Sequence, residues 1–335
     1  MKYRPTNNVL RYAFGALLGV LVSVVSGGML DYILPVLALP FLAGNKEVGL
    51  KEGFNFVGTI SLSVCFANAL SLLCIQYPLV LILMTFMVLF AVYYSKHKLM
   101  TANVKVWMLI SILLIPNIAV QSFALAQIIS LNLIGQAISC IICIWICYYL
   151  FPVEEQVINT ITTSPSQPSL YSKQDYKRAL IRTIVIMPVI VLFYFFNLAS
   201  SLLVLIFIAI LSMQAGFGAD FKAGKAIIIG NLSGGLLAIV IYEIYALVPI
   251  VSFFLMTVLF MGLVLGKKLF SGLPMAPLFG MAFSTFLLII GSTTSGDETA
   301  NSKVWIRVAQ IMMAVVYVAL SFGFIDKCRN SLNEA

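Results

Sequence analysis

Residues 106–151 read VWMLISILLIPNIAVQSFALAQIISLNLIGQAISCIICIWICYYLF, which is 46 residues without a single charged side chain. A helix needs about 20 mostly apolar residues to cross a bilayer, so this run is long enough for two crossings. We place the break between them near Gln127. The whole chain is 61% hydrophobic and only 10% charged, whereas soluble domains are about 45–50% apolar and about 25% charged. The surplus apolar surface must therefore face lipid.

Apolar runs separated by charge, glycine and proline predict twelve transmembrane helices. They lie at 9–27, 30–44, 54–74, 76–95, 105–125 and 129–151 in the first half, and at 180–198, 200–215, 225–246, 248–266, 273–291 and 304–325 in the second. The first apolar stretch is long for a signal-peptide core, so we expect it to be retained as a span. The segments at 30–44 and 200–215 are short, and the sequence leaves open whether they cross completely.

The basic residues give an independent test of this topology. Of the 20 lysines and arginines, 18 fall on the N-terminal tail, the C-terminal tail or every second loop, and only Lys303 and Arg307 fall on the alternate loops. This segregation predicts that both termini are cytoplasmic. It also explains the net charge of +8 without nucleic acid as a partner. A missing or additional span would put the later loops out of phase.

A shift of 172 residues aligns several features of the two halves. It places Gly58-Thr59-Ile60-Ser61 on Gly230-Asn231-Leu232-Ser233, and Lys96 on Lys268. We therefore predict an all-α integral membrane protein with two parallel six-helix repeats, residues 1–151 and 180–335. Residues 152–179, rich in serine, threonine and proline, form a cytoplasmic linker between them. Parallel repeats suit alternating access, and they suit a pseudo-symmetric pore equally well.

The most informative motif is residues 216–238, GFGADFKAGKAIIIGNLSGGLLA. It resembles the signature of the fusaric acid resistance and aromatic acid exporter superfamily, in which a basic amphipathic start leads into a helix that opens with Gly-Thr-x-x-Gly or Gly-Asn-x-x-Gly. The matching positions are Lys222, Lys225, Gly230, Asn231, Gly234 and Gly235. The arginine that usually precedes the glycine motif is replaced by Lys225 or is absent. The chain also lacks the large cytoplasmic domain of longer members, so it looks like a compact, membrane-only subfamily.

This resemblance implies a multi-pass protein of the bacterial inner membrane. It implies secondary efflux of small organic acids, above all aromatic carboxylic acids, often together with a periplasmic adaptor protein. The same superfamily includes plant organic-anion channels, so an anion channel is one alternative. A non-transporting membrane scaffold is another, and a homo-oligomer is left open. A major-facilitator transporter is disfavoured because residues 44–53 lack the Gly-Asp-Arg-Gly-Arg type of loop.

The lysines and glycines of this motif each have two readings. Lys222 and Lys225 are expected just before a helix N-terminus, where lysines and the helix dipole favour anions; topology and snorkelling to headgroups would also explain them. Gly230, Gly234 and Gly235 predict close helix packing. The functional reading places that contact at the interface of the two repeats, with Asn231 offering hydrogen bonds to a substrate. For Gly15-x-x-x-Gly19 and Gly262-x-x-x-Gly266 we predict packing alone.

Three ionisable residues are predicted near the periplasmic ends of spans, where a functional role competes with ordinary solvated loop chemistry. Asp31 and Glu243 are the candidate proton carriers if export is driven by protons, and Arg307 is a candidate exit-side contact for an anion. Polar residues deeper in the spans predict either a lined path or hydrogen bonds between helices: Asn68, Asn117, Gln121, Asn132 and Gln136.

No signature of an enzyme is found in the sequence. The single histidine, His97, lies among lysines, and neither a zinc-protease motif nor a phosphate-binding loop is present. Cys140, Cys143 and Cys147 share one helix face, but no histidine or carboxylate joins them in that segment, so we predict small buried residues there and no metal. We expect no cofactor, and we infer a proton gradient as the driving force from the missing nucleotide site.

Overall fold

A computed structural model gives the fold, and all regular secondary structure in its described residues is helical. The structure describes residues 6–28, 30, 32–44, 47–96, 100–152, 173–196, 204–205, 208, 221–247, 250–273, 275–294, 309–310, 312–314, 316–318 and 320–321, without the side chains of 6, 173–174, 221–228 and 293–294. Ten helices are α1 (Thr6–Ser26), α2 (Ile33–Leu42), α3 (Leu50–Cys74), α4 (Pro78–Tyr94), α5 (Ala102–Ala119), α6 (Phe123–Leu150), α7 (Lys173–Phe196), α8 (Phe221–Leu247), α9 (Val251–Leu269) and α10 (Ala276–Thr294). Helical residues also occur at 204–205, 208 and between 309 and 321.

Seven of these helices are long and apolar enough to cross a membrane, namely α1, α3, α5, α6, α7, α8 and α9. Their outer faces carry large apolar side chains that a soluble protein would bury. Leu62, Leu73, Leu131 and Leu247 are all more than 70% exposed. The predicted helical membrane fold is confirmed at this level: the chain is a multi-pass α-helical membrane protein. The count of twelve spans stays a prediction.

The 46-residue apolar run does divide into two helices, but not at the predicted place. The break covers Val120, Gln121 and Ser122, while Gln127 lies inside α6. Ser122 explains this position because its hydroxyl accepts a hydrogen bond from the Leu125 N–H at 3.4 Å, which caps the start of α6.

Helix α2 is the shortest element and one of the most buried. Its ten residues extend for about 15 Å, whereas the hydrocarbon core is about 30 Å thick. Eight of the ten are buried, and the helix packs against α1, α5, α6 and α10. The predicted short segment 30–44 is therefore a half-length helix that is enclosed by its neighbours. Most of its counterpart at 200–215 lies outside the described residues.

The two most extensive contacts between the halves of the chain are those of α1 with α9 and of α7 with α4. Smaller contacts join α2 to α10 and α5 to α7. Helix α1 also packs against α2 and α6 of its own half. Within the halves, the main partner of α3 is α5 and the main partner of α8 is α10.

Glycines allow the closest of these approaches, as predicted for the two isolated glycine pairs. A Cβ on Gly19 would lie 2.8 Å from the Cα of Pro35, and a Cβ on Gly262 would lie 2.9 Å from the Cα of Ala13. The first contact joins α1 to α2 and the second joins α9 to α1. The packing role of these glycines is confirmed.

Candidate functional site

The glycine motif of Gly230, Asn231, Gly234 and Gly235 lies in the middle of α8 and faces α10. A Cβ on Gly230 would lie 3.1 Å from the Cβ of Met281, and one on Gly234 would lie 2.9 Å from the Cβ of Thr285. Gly235 is also buried. The close helix contact predicted from these small residues is thus present. It joins two helices of the second half, so it does not lie between the two halves.

Asn231 fixes the same helix pair through its side chain. The Thr285 hydroxyl donates a hydrogen bond to Asn231 Oδ1 at 2.5 Å, and both residues are buried. Asn231 also lines a cavity of about 390 Å³, which we call the Trp107 cavity. The helices around this cavity come from both halves, because its other lining residues include Tyr12 of α1, Leu39 of α2 and Trp107 of α5.

The Trp107 cavity has an apolar wall with a few polar side chains. Trp107 is 1% exposed, and its indole N–H has no hydrogen-bond partner among the described residues. Asn103, Ser284 and the Tyr12 side chain complete the polar lining. Such a mixture of apolar surface and a few polar residues is typical of binding sites for small organic molecules.

A second cavity of about 400 Å³, the Tyr245 cavity, lies at the opposite ends of the same helices. Its lining includes Val24 near the end of α1, Phe254 near the start of α9 and Gly291 near the end of α10. The Trp107 cavity instead meets Leu269 at the end of α9 and Gly280 near the start of α10. Five helices (α1, α2, α8, α9 and α10) or the residues next to them therefore border both cavities.

Neighbouring residues of the same helices line the two cavities. On α2, Pro35 lines the Tyr245 cavity and Val36 lines the Trp107 cavity. On α10, Leu287 lines the Tyr245 cavity and Leu288 lines the Trp107 cavity. All four side chains are buried, and no described residue lines both cavities.

A third cavity, of about 950 Å³, lies beside the Trp107 cavity. Its lining includes Glu47, Lys51 and Asn55, and it shares Pro40 and Asn103 with the Trp107 cavity. We call it the Glu47 cavity. Its charged lining makes it a wetter space than the other two.

Arg11 has a different environment from the one its sequence position suggests. The topology prediction takes Arg11 as one of the 18 basic residues of tails and cytoplasmic loops, on the N-terminal tail. In the structure it lies inside α1 and is fully buried. Its Nη2 donates to the Gly44 carbonyl at 3.0 Å and its Nε to the Leu42 carbonyl at 3.3 Å. The guanidinium also lies 4.5 Å from the centre of the Tyr148 ring. Arg11 therefore holds the C-terminal end of α2, where helix carbonyls lack partners and the dipole favours a cation.

Other basic residues assigned to loops also lie within helices. Lys105 is in the first turn of α5, and Arg178 and Arg182 are in α7. Lys222 and Lys225 occupy the first two turns of α8, so they do not precede its N-terminus as predicted. The helix begins at Phe221, earlier than its hydropathy suggests, because the apolar run starts only after the lysines. The side chains of both lysines lie outside the described residues.

The predicted ionisable residues at the other end of the spans are only partly described. Glu243 is exposed on α8 and does not appear in the described lining of the Tyr245 cavity. Asp31 and Arg307 lie outside the described residues. None of the three therefore appears among the described residues that line a cavity.

The deeper polar residues that are described make hydrogen bonds within and between helices. Asn68 Nδ2 donates to Ser130 Oγ at 2.7 Å, and Gln127 Nε2 donates to Asn68 Oδ1 at 3.1 Å, which joins α3 to α6. Gln136 Nε2 donates to Asn132 Oδ1 at 3.2 Å within α6. For Asn68, the reading as a contact between helices is confirmed.

The three cysteines of α6 are buried, as predicted. Cys140, Cys143 and Cys147 are free thiols inside the helix bundle. Among the described residues, no group of three or more histidine, cysteine or carboxylate side chains is arranged to hold a metal ion.

No family model matches the chain, and neither does any curated protein or solved structure. Function therefore has to be inferred from the sequence motif and from the cavities.

Proposed function

We propose that the protein is a secondary exporter of small organic acids, chiefly aromatic carboxylic acids, in the bacterial inner membrane. The observation that carries this proposal is the pair of cavities at opposite ends of the same helices, which share no described lining residue. In alternating access, a site opens first to one side and then to the other, and the segment between two such cavities is where the barrier would move. The resemblance of the motif in α8 supplies the substrate class.

The topology belongs to the same proposal: twelve spans with both termini in the cytoplasm. The segregated lysines and arginines support it. In this orientation the Glu47 and Trp107 cavities face the cytoplasm and the Tyr245 cavity faces the periplasm. Substrate would enter past Lys222 and Lys225, and a periplasmic adaptor protein would receive it.

Two parallel six-helix repeats are also part of the proposal, and the helix contacts support them. The contact of α1 with α9 has its counterpart in that of α7 with α4, and α3–α5 has its counterpart in α8–α10. A shift of 171 residues, one fewer than the sequence match, relates individual contacts of the latter pairs. This shift places the Ser63–Ser111 hydrogen bond of 2.7 Å on the close approach of Gly234 to Ala282.

The same shift places Arg11 on Arg182. Each of these arginines lies over a tyrosine ring, Arg11 over Tyr148 at 4.5 Å and Arg182 over Tyr93 at 6.0 Å. The two tyrosines lie on α6 and α4 and are not related by this shift, so the support for a repeat comes from the matching positions of the two arginines.

Uptake of labelled 4-hydroxybenzoate into inverted membrane vesicles tests the proposal. We expect accumulation that depends on an imposed proton gradient and that falls at least about fivefold in the double variant Lys222→Ala, Lys225→Ala. The matched control is Lys267→Ala, Lys268→Ala, which removes two exposed lysines from the end of α9 and should leave uptake unchanged. Glu243→Gln should abolish the gradient dependence if this residue carries the proton.

The alternatives predict other results in the same vesicles. Voltage-dependent current that persists without a proton gradient would replace the exporter with an anion channel. Absence of uptake for a dozen organic acids, with normal protein levels in the membrane, would contradict transport of this substrate class and favour a scaffold.

A further inference from the structure

Basic side chains gather where α4 ends and where α5 and α7 begin. These three helices pack against one another. Lys96 follows the end of α4 and forms an ion pair with Asp175 in the first turn of α7. Lys105, in the first turn of α5, donates a hydrogen bond to the Ser95 carbonyl at 2.5 Å. Both lysines are thus held next to the end of α4.

Two arginines of α7 complete this group, which we call the Arg182 cluster: Lys96, Lys105, Arg178 and Arg182. The guanidinium of Arg182 lies 6.0 Å from the centre of the Tyr93 ring of α4. Arg182 and Lys96 are both close enough to Lys105 for their positive charges to act on it, and Arg178 acts on Arg182 in the same way. Like charges that are this close repel one another.

The cluster carries more positive charge than its own helices offset. Asp175 is the only acidic residue in the sequences of α4, α5 and α7. Four cations against this one carboxylate leave an excess of three positive charges. Helices α5 and α7 also begin here, and the positive ends of their dipoles add to the field. Because Lys105 and Arg182 are half-buried, water screens them less than it screens fully exposed charges. The cluster therefore attracts an anion.

Aromatic side chains beside the cluster indicate its depth in the membrane. Tyr176 of α7 packs on Tyr94 and Phe90 of α4, with ring centroids 6.2 Å and 5.3 Å apart. Tyrosine is enriched where the bilayer meets water, because its ring is apolar while its hydroxyl reaches the headgroups. The Arg182 cluster therefore lies at the level of the lipid headgroups.

The outer surfaces of α4 and α7 continue from the cluster as apolar faces. Leu83 and Met87 of α4 and Ile184 and Leu192 of α7 are each about half exposed. A ligand that joins a phosphate to acyl chains matches both the charged end and these faces. A small soluble anion would match the charged end alone.

We propose that Lys105, Arg178 and Arg182 hold the phosphate of one anionic phospholipid, whose acyl chains lie along the outer surfaces of α4 and α7. Guanidinium groups suit this ligand because they bind phosphate oxygens through paired hydrogen bonds. Basic pockets between transmembrane helices recognise anionic headgroups in this way. The inference does not depend on transport; the proposed topology only adds that the lipid belongs to the cytoplasmic leaflet.

Titration of the purified full-length protein with lipid, followed by native mass spectrometry, tests the site. The probes are dioleoyl phosphatidylglycerol and dioleoyl phosphatidylethanolamine, which share their acyl chains and differ in net charge. We expect one phosphatidylglycerol to bind saturably to each chain, at least about tenfold more tightly than phosphatidylethanolamine. Glycerol 3-phosphate has the phosphate without the chains, so an equal concentration should not displace the lipid.

Charge substitutions test the location of the site. Arg178→Gln removes an exposed charge, so the variant should fold normally and bind phosphatidylglycerol about fivefold more weakly. Arg178→Gln combined with Arg182→Gln should weaken binding about twentyfold; if that variant does not accumulate, the single substitution decides. The matched control is Lys267→Gln, Lys268→Gln, which removes two exposed lysines at the end of α9 and should leave binding unchanged.

Asp175→Asn separates lipid binding from a purely structural role of the cluster. Removing this carboxylate raises the positive charge and releases Lys96 from its ion pair. Binding of phosphatidylglycerol should therefore become about threefold to fivefold tighter. If the cluster only joined α4 to α7, the same substitution would leave lipid binding unchanged or weaken it.

Three outcomes would overturn the inference: equal binding of the two lipids, equal effects of the arginine and lysine pairs, or no tighter binding in Asp175→Asn. Displacement of phosphatidylglycerol by an equal concentration of glycerol 3-phosphate would overturn the assignment to a lipid and show that the cluster takes a soluble phosphate compound.

Discussion

At the scale of single residues, Arg11 shows how a membrane protein ends a helix away from water. Helix α2 is too short to place both ends in the aqueous phase, so its last carbonyls need partners inside the bundle. Arg11 supplies two hydrogen bonds, and the Tyr148 hydroxyl donates to the Phe41 carbonyl at 2.9 Å. The guanidinium and the tyrosine hydroxyl thus supply the hydrogen bonds that water supplies to the carbonyls of an exposed helix end.

Arg11→Gln should lower the free energy of unfolding by about 1–3 kcal/mol, because the Leu42 carbonyl would be left without this donor in a buried site. Arg11→Lys should recover only part of the loss, since an ammonium group lacks the planar fork of the guanidinium. Thermal unfolding followed with a maleimide dye measures this in a background that carries Cys65→Ser, Cys74→Ser and Cys328→Ser, because Cys65 is exposed and would react in the folded protein. In that background, the dye reports on Cys140, Cys143 and Cys147, which are buried.

The control for Arg11 is Lys177→Gln, which removes the same charge from an exposed position in α7. Its melting curve should overlay that of the unchanged protein. An Arg11→Gln melting curve that also overlays it would show that the α2 carbonyls are satisfied in another way.

The sequence contained evidence that Arg11 is buried with specific partners, although its place near the end of an apolar run also fitted a charge of the N-terminal tail. A single arginine a few residues inside an apolar segment is expensive and indicates a specific partner. Its place near the start of the span made it look like one more tail charge. The sequence could not reveal Trp107 as a cavity residue, because an apolar helix gives no sign of which side chain lacks a hydrogen-bond partner.

At the scale of helices, glycines with the same sequence signature have opposite environments. Gly58 aligns with Gly230 in the sequence match, yet a Cβ on Gly58 would have nothing within 4 Å, while Gly230 and Gly234 press against α10. The motif therefore brings helices together in the second half only. In the first half, the Ser63–Ser111 hydrogen bond joins the corresponding helices.

Gly234→Ala and Gly58→Ala should therefore have opposite effects on stability. At Gly234 the new methyl group would lie 2.9 Å from Thr285 Cβ and 3.0 Å from the Ala282 carbonyl carbon, and such overpacking costs about 1–3 kcal/mol. At Gly58 the space is open, and alanine is preferred to glycine in a helix by about 0.5–1 kcal/mol. The same dye-based melting experiment should show a lower transition for the first variant and an unchanged or higher one for the second. Equal shifts in both would contradict the close contact between α8 and α10.

At the scale of the whole molecule, the sequence predicted the elements better than their arrangement. Hydropathy detects apolar runs that are long enough for a helix in the membrane. It therefore located the segments that form α1 to α10. It contains no information about which helix packs against which, and the packing of α1 on α9 and of α7 on α4 was therefore not anticipated. The cavities, which lie where both halves meet, follow from that arrangement and were equally hidden.

These contacts between the halves predict that neither half folds alone. Tyr12 of α1 packs on Phe270 and Phe283, with ring centroids 5.9 Å and 5.5 Å apart, so a fragment of residues 1–160 would expose that face. The fragment 161–335 would likewise leave α7 without α4. Expressed separately, both fragments should be degraded, and expressed together they should co-purify through a tag on either one. Stable accumulation of residues 1–160 alone, without co-purification, would show instead that the halves are self-contained bundles. The result matters for mechanism, because two self-contained bundles can rock as rigid bodies, whereas halves joined by extensive contacts would have to move α1 with α9 and α7 with α4.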